Sequence, residues 1–276
     1  MTSLKKMFTY IALMSKKYNI DESHGVKHSM DVVQFAHNIY MSEIIKQQQL
    51  QELKQLQEIK QLQELKQLQK QELKQLLKEL KEPQLQELKQ LQKKELKQLQ
   101  KELKQLQPQL QPQLQEQEKV IYSAALLHDM CDKKYMDENE GIQQLESFIG
   151  ESFSLEELNA TKDIITTMSY SKVMKTGVPV FPNLGKWQFA YHIVREADLL
   201  AAYDFDRCMI YQMEKLNGNF DTALEDAKML FDKRVLNHFK HNLFQTEKGK
   251  ELGQTLHINA LNRIRNWNFL AGKHII

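Results

Sequence analysis

The chain has 276 residues and a formal net charge of +2, from 38 Lys and Arg against 36 Asp and Glu. Near-balanced charge gives no bulk electrostatic reason to bind nucleic acid. Two cysteines make no disulfide framework and suit a reducing compartment, and no apolar run approaches the ~20 residues that cross a bilayer.

Residues 3–19 place Leu4, Met7, Phe8, Ile11, Ala12 and Met14 at mostly helical spacing, which predicts an opening amphipathic helix. Lys16 and Lys17 follow its apolar run where a signal peptide would need a small-residue cleavage site, so a soluble, cytoplasmic protein is expected. The turn-forming stretch Asn19–Gly25 interrupts the pattern, and Asp21 or Ser23 can cap a second helix. That helix carries His28, Val32, Phe35, Ala36 and Ile39 on one face, with His37 off the stripe and expected in solvent. A histidine at the buried end of such a stripe is either a hydrogen-bonded core residue or a ligand.

Residues 44–118 are almost entirely Gln, Leu, Lys and Glu, with 14 Lys and 11 acids; the other 201 residues carry 24 basic and 25 acidic side chains, a net −1. We read 1–45 and 117–276 as one domain and 46–116 as a repeat insertion. The repeat, Leu-Gln-Glu-Leu-Lys-Gln, has high helix propensity. Its apolar residues recur every third position from Leu50 to Leu68. Such a stripe drifts round a helix instead of forming the seam of a coiled coil, which needs an average near 3.5. Pro83, Pro108 and Pro112 are expected to break or end the helical runs. One or two exposed helices follow from this, either a passive expansion of a surface loop or a coiled coil serving self-association.

Ordinary composition resumes with Val120–Leu127, an apolar run that ends in His128 and Asp129. Burying an imidazole and a carboxylate together is costly unless something satisfies both, and a divalent metal does so; a helix simply reaching the surface is the alternative. Asp132, Lys133, Lys134 and Tyr135 follow in a loop. Further helices are expected over 141–149, 155–168 (with Ser154 and Glu157 as a capping box), 187–202, 204–217, 220–245 and 248–270. The stretch 169–186, with Gly177, Pro179, Pro182 and Gly185, is the longest irregular segment. No hairpin signal or sustained two-residue alternation occurs, so the fold class is all-α. In the helix from Trp187, Asp198 stands among apolar and small residues and needs a partner, either a base such as Arg195 or a cation.

The order His28, His128-Asp129, Asp198 resembles the HD superfamily of metal-dependent phosphohydrolases, whose four metal ligands follow that order on a helical bundle. Three stretches look like motifs of its small single-domain members: Ser23-His24-Gly25-Val26-Lys27-His28, Ala125-Leu126-Leu127-His128-Asp129, and Glu196-Ala197-Asp198-Leu199-Leu200. Thr246-Glu247-Lys248-Gly249 ahead of a last helix is also similar. His28 and His128 are 100 positions apart, and without the 75 inserted residues the gap is 25, close to what the family shows. The chain departs from the pattern at Asp31, where Arg is usual, and over Tyr203–Arg207, which lacks the expected glycines. Those departures bear on the substrate pocket more than on the metal site.

The resemblance implies one divalent ion (Mn, Mg, Fe, Co, Ni or Zn) on His28, His128, Asp129 and Asp198, and hydrolysis of a phosphoester or phosphoanhydride of a nucleotide. Asp129 and Asp132 then serve catalysis, Lys133 and Lys134 neutralise phosphate charge, and His24, Tyr170, Lys172 and Arg207 contact the substrate. Two other classes remain open: a catalytically silent nucleotide-binding protein of the same fold, and an interaction protein that works through its repeat.

Overall fold

The computed structural model describes residues 4–21, 24–76, 94, 97 and 110–273, and among them the regular structure is entirely helical. The chain divides into two units, 1–42 with 116–276, and 43–115. Its α-helices are α1 Leu4–Lys17, α2 Val26–Leu76, α3 Leu110–Leu127, α4 Glu138–Ile149 and α5 Leu155–Thr167. The short turn α6 Tyr170–Val173 follows, then α7 Gln188–Ala201, α8 Phe205–Lys215, α9 Phe220–Lys233 and α10 Glu247–Leu270. No helix among the described residues is long and apolar enough to cross a membrane.

The centre of the first unit is the end of α3. Val120, Ile121, Ala124, Ala125, Leu126 and Leu127 are fully buried, the all-round apolarity of a helix with neighbours on every side. At Leu127 the backbone leaves α geometry (φ −103°, ψ 2°) for a 3₁₀ turn, His128–Cys131, which packs against α1, α4 and α5. Helix α1 contributes Met7, Ile11 and Met14, one helical stripe. Helix α2 contributes His28, Val32, Ala36 and Ile39, all buried, whereas Phe35 is half-buried. His37 is exposed, as expected, yet its Nδ1 lies 2.6 Å from the Tyr122 hydroxyl. Helix α7 lies between α5 and α10.

Local chemistry sets the helix ends. Asn19, at φ 51°, closes α1 with a bond from the Ile20 N–H to the Ser15 carbonyl, the left-handed cap that asparagine supplies when glycine is absent. Asn217 closes α8 in the same way through the Gly218 N–H and the Met213 carbonyl. Asp137 caps α4, which starts at Glu138 rather than Gly141. The capping box of Ser154 and Glu157 starts α5, and Lys119 of α3 donates to the same Glu157 carboxylate at 2.8 Å.

Two expectations need correction. The helix over 220–245 ends at Lys233: Arg234 adopts φ −125°, ψ −68°, and a 3₁₀ turn and loop follow. Pro112 ends no run; it stands in the first turn of α3, where a missing N–H costs nothing. Pro83, Pro108 and the Ser23 cap lie outside the described residues. In the second unit α2 continues to Leu76, with Leu50, Leu53 and Leu56 exposed.

Candidate metal centre

Three parts of the chain supply four donors. His28 comes from the first turn of α2, His128 and Asp129 from the 3₁₀ turn after α3, and Asp198 from the third turn of α7. The Nε2 atoms of His28 and His128 are 3.2 Å apart. Asp129 Oδ2 lies 3.3 Å from His28 Nε2 and 3.2 Å from His128 Nε2. Asp198 Oδ1 lies 3.3 Å and 3.6 Å from the same two atoms. Donors bonded to one ion at about 2.1 Å sit roughly 3.0–3.4 Å apart along the edges of an octahedron or tetrahedron, so these separations suit a shared cation. His28, His128 and Asp129 form a buried group able to hold a metal ion. Asp198 meets the two imidazoles, but it is not a member of that buried group with Asp129.

The surrounding bonds decide how ready each donor is. His128 Nδ1 lies 2.9 Å from the Ala125 carbonyl, an acceptor only, so Nδ1 carries the proton and Nε2 offers its lone pair to the centre. Asp129 Oδ2 is buried with no hydrogen-bond partner, despite its two imidazole neighbours. An ionised oxygen in that position calls for a cation. His28 is different. Arg207 Nη1 lies against its Nδ1, and Nη2 donates to the Ala201 carbonyl at 3.0 Å. A guanidinium only donates, so this contact uses the Nδ1 lone pair and leaves the proton on Nε2. Coordination through Nε2 requires the other tautomer, with Arg207 turned off the ring.

Burial opposes charge on all four groups. At His28 it prevails and lowers the pKa. At His128 the neighbouring Asp129 and Asp198 carboxylates overcome it, and the pKa stands well above the usual imidazole value. Both carboxyls are held below their ordinary range, Asp198 strongly, because the imidazoles outweigh burial. Two carboxylates held ionised beside two imidazoles make a set of donors that could hold a cation.

The four donors open into a cavity of about 350 Å³. His24, Asp132, Lys133, Lys134, Lys172 and Arg207 all line it, so six of the residues expected to act on the substrate reach this space. Their states differ. Asp132 Oδ1 accepts from the Lys134 N–H at 2.8 Å. Lys134 Nζ is bound to Asp21 at 2.9 Å, Lys172 Nζ to Glu138 at 2.7 Å, and Lys133 is exposed. Tyr170 is not part of the lining; its ring lies beneath the Arg234 guanidinium, 4.6 Å from centroid to Cζ.

Sequence reasoning missed a relay. The Tyr135 hydroxyl donates to Asp21 Oδ2 at 2.5 Å and therefore accepts from His24 Nδ1 at 2.9 Å, which leaves His24 Nε2 as an acceptor. Asp21, Tyr135 and Arg234 are separated by about a hundred residues each, and nothing local in the sequence announces such contacts. Comparison with protein-family models, curated proteins and solved structures returned no match to this chain.

Proposed function

We propose that this protein is a metal-dependent phosphohydrolase of the HD type that cleaves a phosphoester or phosphoanhydride of a nucleotide. One observation carries the reading: His28, His128, Asp129 and Asp198 converge with an orphaned carboxylate oxygen, at the floor of a cavity rimmed by cationic side chains. A divalent ion held by these four residues supplies the Lewis acidity that polarises a phosphoryl oxygen and activates a water. The mixed nitrogen and oxygen set accepts Mn, Fe, Co, Ni, Zn or Mg.

The chain's own groups do the rest. The Ala125 carbonyl holds the His128 ring in its ligand tautomer. His24 and Asp132 lie beside Asp129; Asp132 would take the proton of an attacking water, and His24, kept by Asp21 and Tyr135 as an acceptor at Nε2, would orient that water. Lys133 and Lys134 offset the charge that gathers on the phosphoryl oxygens. Arg207 lines the same cavity, and with His28 Nε2 given to an ion its guanidinium would be available to a substrate phosphate.

The test is purified full-length protein, supplemented with each metal, against a nucleotide panel beside Asp129→Ala. Wild type is expected to release phosphate or pyrophosphate, and the variant to lose about 100-fold or more of the rate. Inertness with every ion, or full activity in the variant, overturns the proposal. The Arg207 contact with His28 favours one second reading, a nucleotide-binding protein without turnover; nucleotide binding with no product supports it.

A further inference from the structure

Among the described residues, the cavity contains one half-buried cation, Arg234, whose charge the lining leaves unanswered. Five cationic side chains line it, Lys133, Lys134, Lys172, Arg207 and Arg234, against five acids, Asp129, Asp132, Glu138, Asp198 and Asp204. Lys134 is tied to Asp21 and Lys172 to Glu138, while Arg207 engages His28 and the Ala201 carbonyl. Lys133 is exposed and solvated. Arg234 is half-buried, and among the described residues its guanidinium has neither a carboxylate partner nor a hydrogen-bond acceptor. It stacks on Tyr170 at 4.6 Å, and that ring in turn packs against the fully buried His238, with centroids 5.8 Å apart.

Stacking on a tyrosine fixes the plane of a guanidinium, but it does not satisfy five N–H donors. The backbone adds to the fixation. Arg234 leaves helical geometry at the end of α9, and the next residue, Val235, is buried. A guanidinium held flat at a rigid corner, with its donors unanswered inside a ligand-sized cavity, presents the fork that takes a phosphate in two parallel bonds. The lining is balanced in charge without an ion, so a divalent cation leaves an excess of two positive charges. The cluster with its two carboxylates is then neutral, so the excess lies on the cationic rim to which Arg234 belongs.

We propose that Arg234, seated on Tyr170, grips a second phosphate of the substrate, one that is not attacked. The protein thereby selects molecules with at least two consecutive phosphates over simple phosphate monoesters. This rests on the metal-centre reading above for the phosphate that is attacked, while Leu230, Phe231 and Val235 beside Arg234 offer an apolar wall to the remainder of the ligand.

The experiment is calorimetric binding of inorganic pyrophosphate and of inorganic phosphate to the full chain with Mn²⁺. Wild type is compared with Arg234→Gln and Arg234→Lys. Wild type is expected to prefer pyrophosphate by about tenfold or more, a difference of ~1.4 kcal/mol. Arg234→Gln should reduce that preference to about threefold or less with phosphate affinity unchanged, and Arg234→Lys should retain part of it. The unchanged phosphate affinity doubles as the check that the variant is folded. No preference in wild type, or an equal loss for both anions in Arg234→Gln, or no loss for either, overturns the proposal. Pyrophosphate binding through Arg234 without hydrolysis of any nucleotide sinks the hydrolase reading and leaves the anion site standing. Hydrolysis that ignores Arg234 does the reverse.

Discussion

At the scale of single residues, the two histidines of the centre are prepared for opposite things. The Ala125 carbonyl holds the His128 ring with Nε2 toward the cluster, as a ligand would need, whereas His28 has Arg207 on the nitrogen that must carry a proton before Nε2 can bind an ion. Arg207 therefore competes with the cation, both through the tautomer and as a positive charge beside the site. Arg207→Gln is expected to bind Mn²⁺ about tenfold more tightly than wild type, ~1.4 kcal/mol, when metal-stripped protein is titrated. Phosphate binding to the metal-loaded variant should weaken. Tighter phosphate binding, or a weaker grip on Mn²⁺, would mean that Arg207 supports the ligand instead of opposing it. Much of this centre was legible from residue order, because a His-Asp pair ending an apolar run and an acid among alanines both demand partners. The Arg207 contact was not: His28 and Arg207 are 179 positions apart and nothing near either predicts it.

Among the helices, what holds Asp198 in place is an anchor two residues earlier. Glu196 is wholly buried on α7, yet its carboxylate accepts from the Gln245 N–H at 2.6 Å, the Thr246 N–H at 3.2 Å and the Thr246 hydroxyl at 2.6 Å. Thr246 in turn caps α10 by accepting from the Gly249 N–H at 3.0 Å. Burial pushes the Glu196 carboxyl upward, while Arg195 and these donors pull it back. Gly249 exists because of this junction: a Cβ there would stand 2.1 Å from Glu196 Oε2 and 2.7 Å from Thr246 Oγ1. Neither atom can retreat without breaking buried hydrogen bonds. Gly249→Ala is expected to cost about 3 kcal/mol in denaturant unfolding, and a loss under about 1 kcal/mol would show that the junction yields. The sequence contained both halves of this clamp, Glu196-Ala197-Asp198 and Thr246–Gly249, without saying that they touch. The helix ends that Asn19 and Asn217 close fell within two residues of the sequence reading. The overrun from Lys233 to residue 245 arose because Val235, Phe239 and Leu243 keep an apolar rhythm through a loop that Asn242 closes at φ 50°.

For the whole molecule the question is whether the repeat does anything for the helical body. Within the body, His37 of α2 meets Tyr122 of α3, and one turn further on Tyr40 packs on Tyr122 and feels the charge of Glu118. As α2 advances its partners on α3 recede, so within the body the two helices run antiparallel. A short connection suffices for such a pair, since helix–helix loops of about 2–8 residues are common, and lengthening a loop costs little. Every donor of the metal centre and every residue of the Glu196 clamp lies outside 43–115. Replacing residues 46–116 with a four-residue Gly-Ser linker is therefore expected to leave metal content at one ion per chain, and to move the thermal midpoint by no more than about 4 °C. Metal analysis, thermal unfolding and light scattering on both chains measure this. A body that folds and holds its ion, yet loses an oligomeric state seen in the full chain, would assign the repeat to self-association through leucines such as Leu50, Leu53 and Leu56, which stand exposed on α2. A body that loses its ion would show that the repeat braces the centre and that the two units do not work independently.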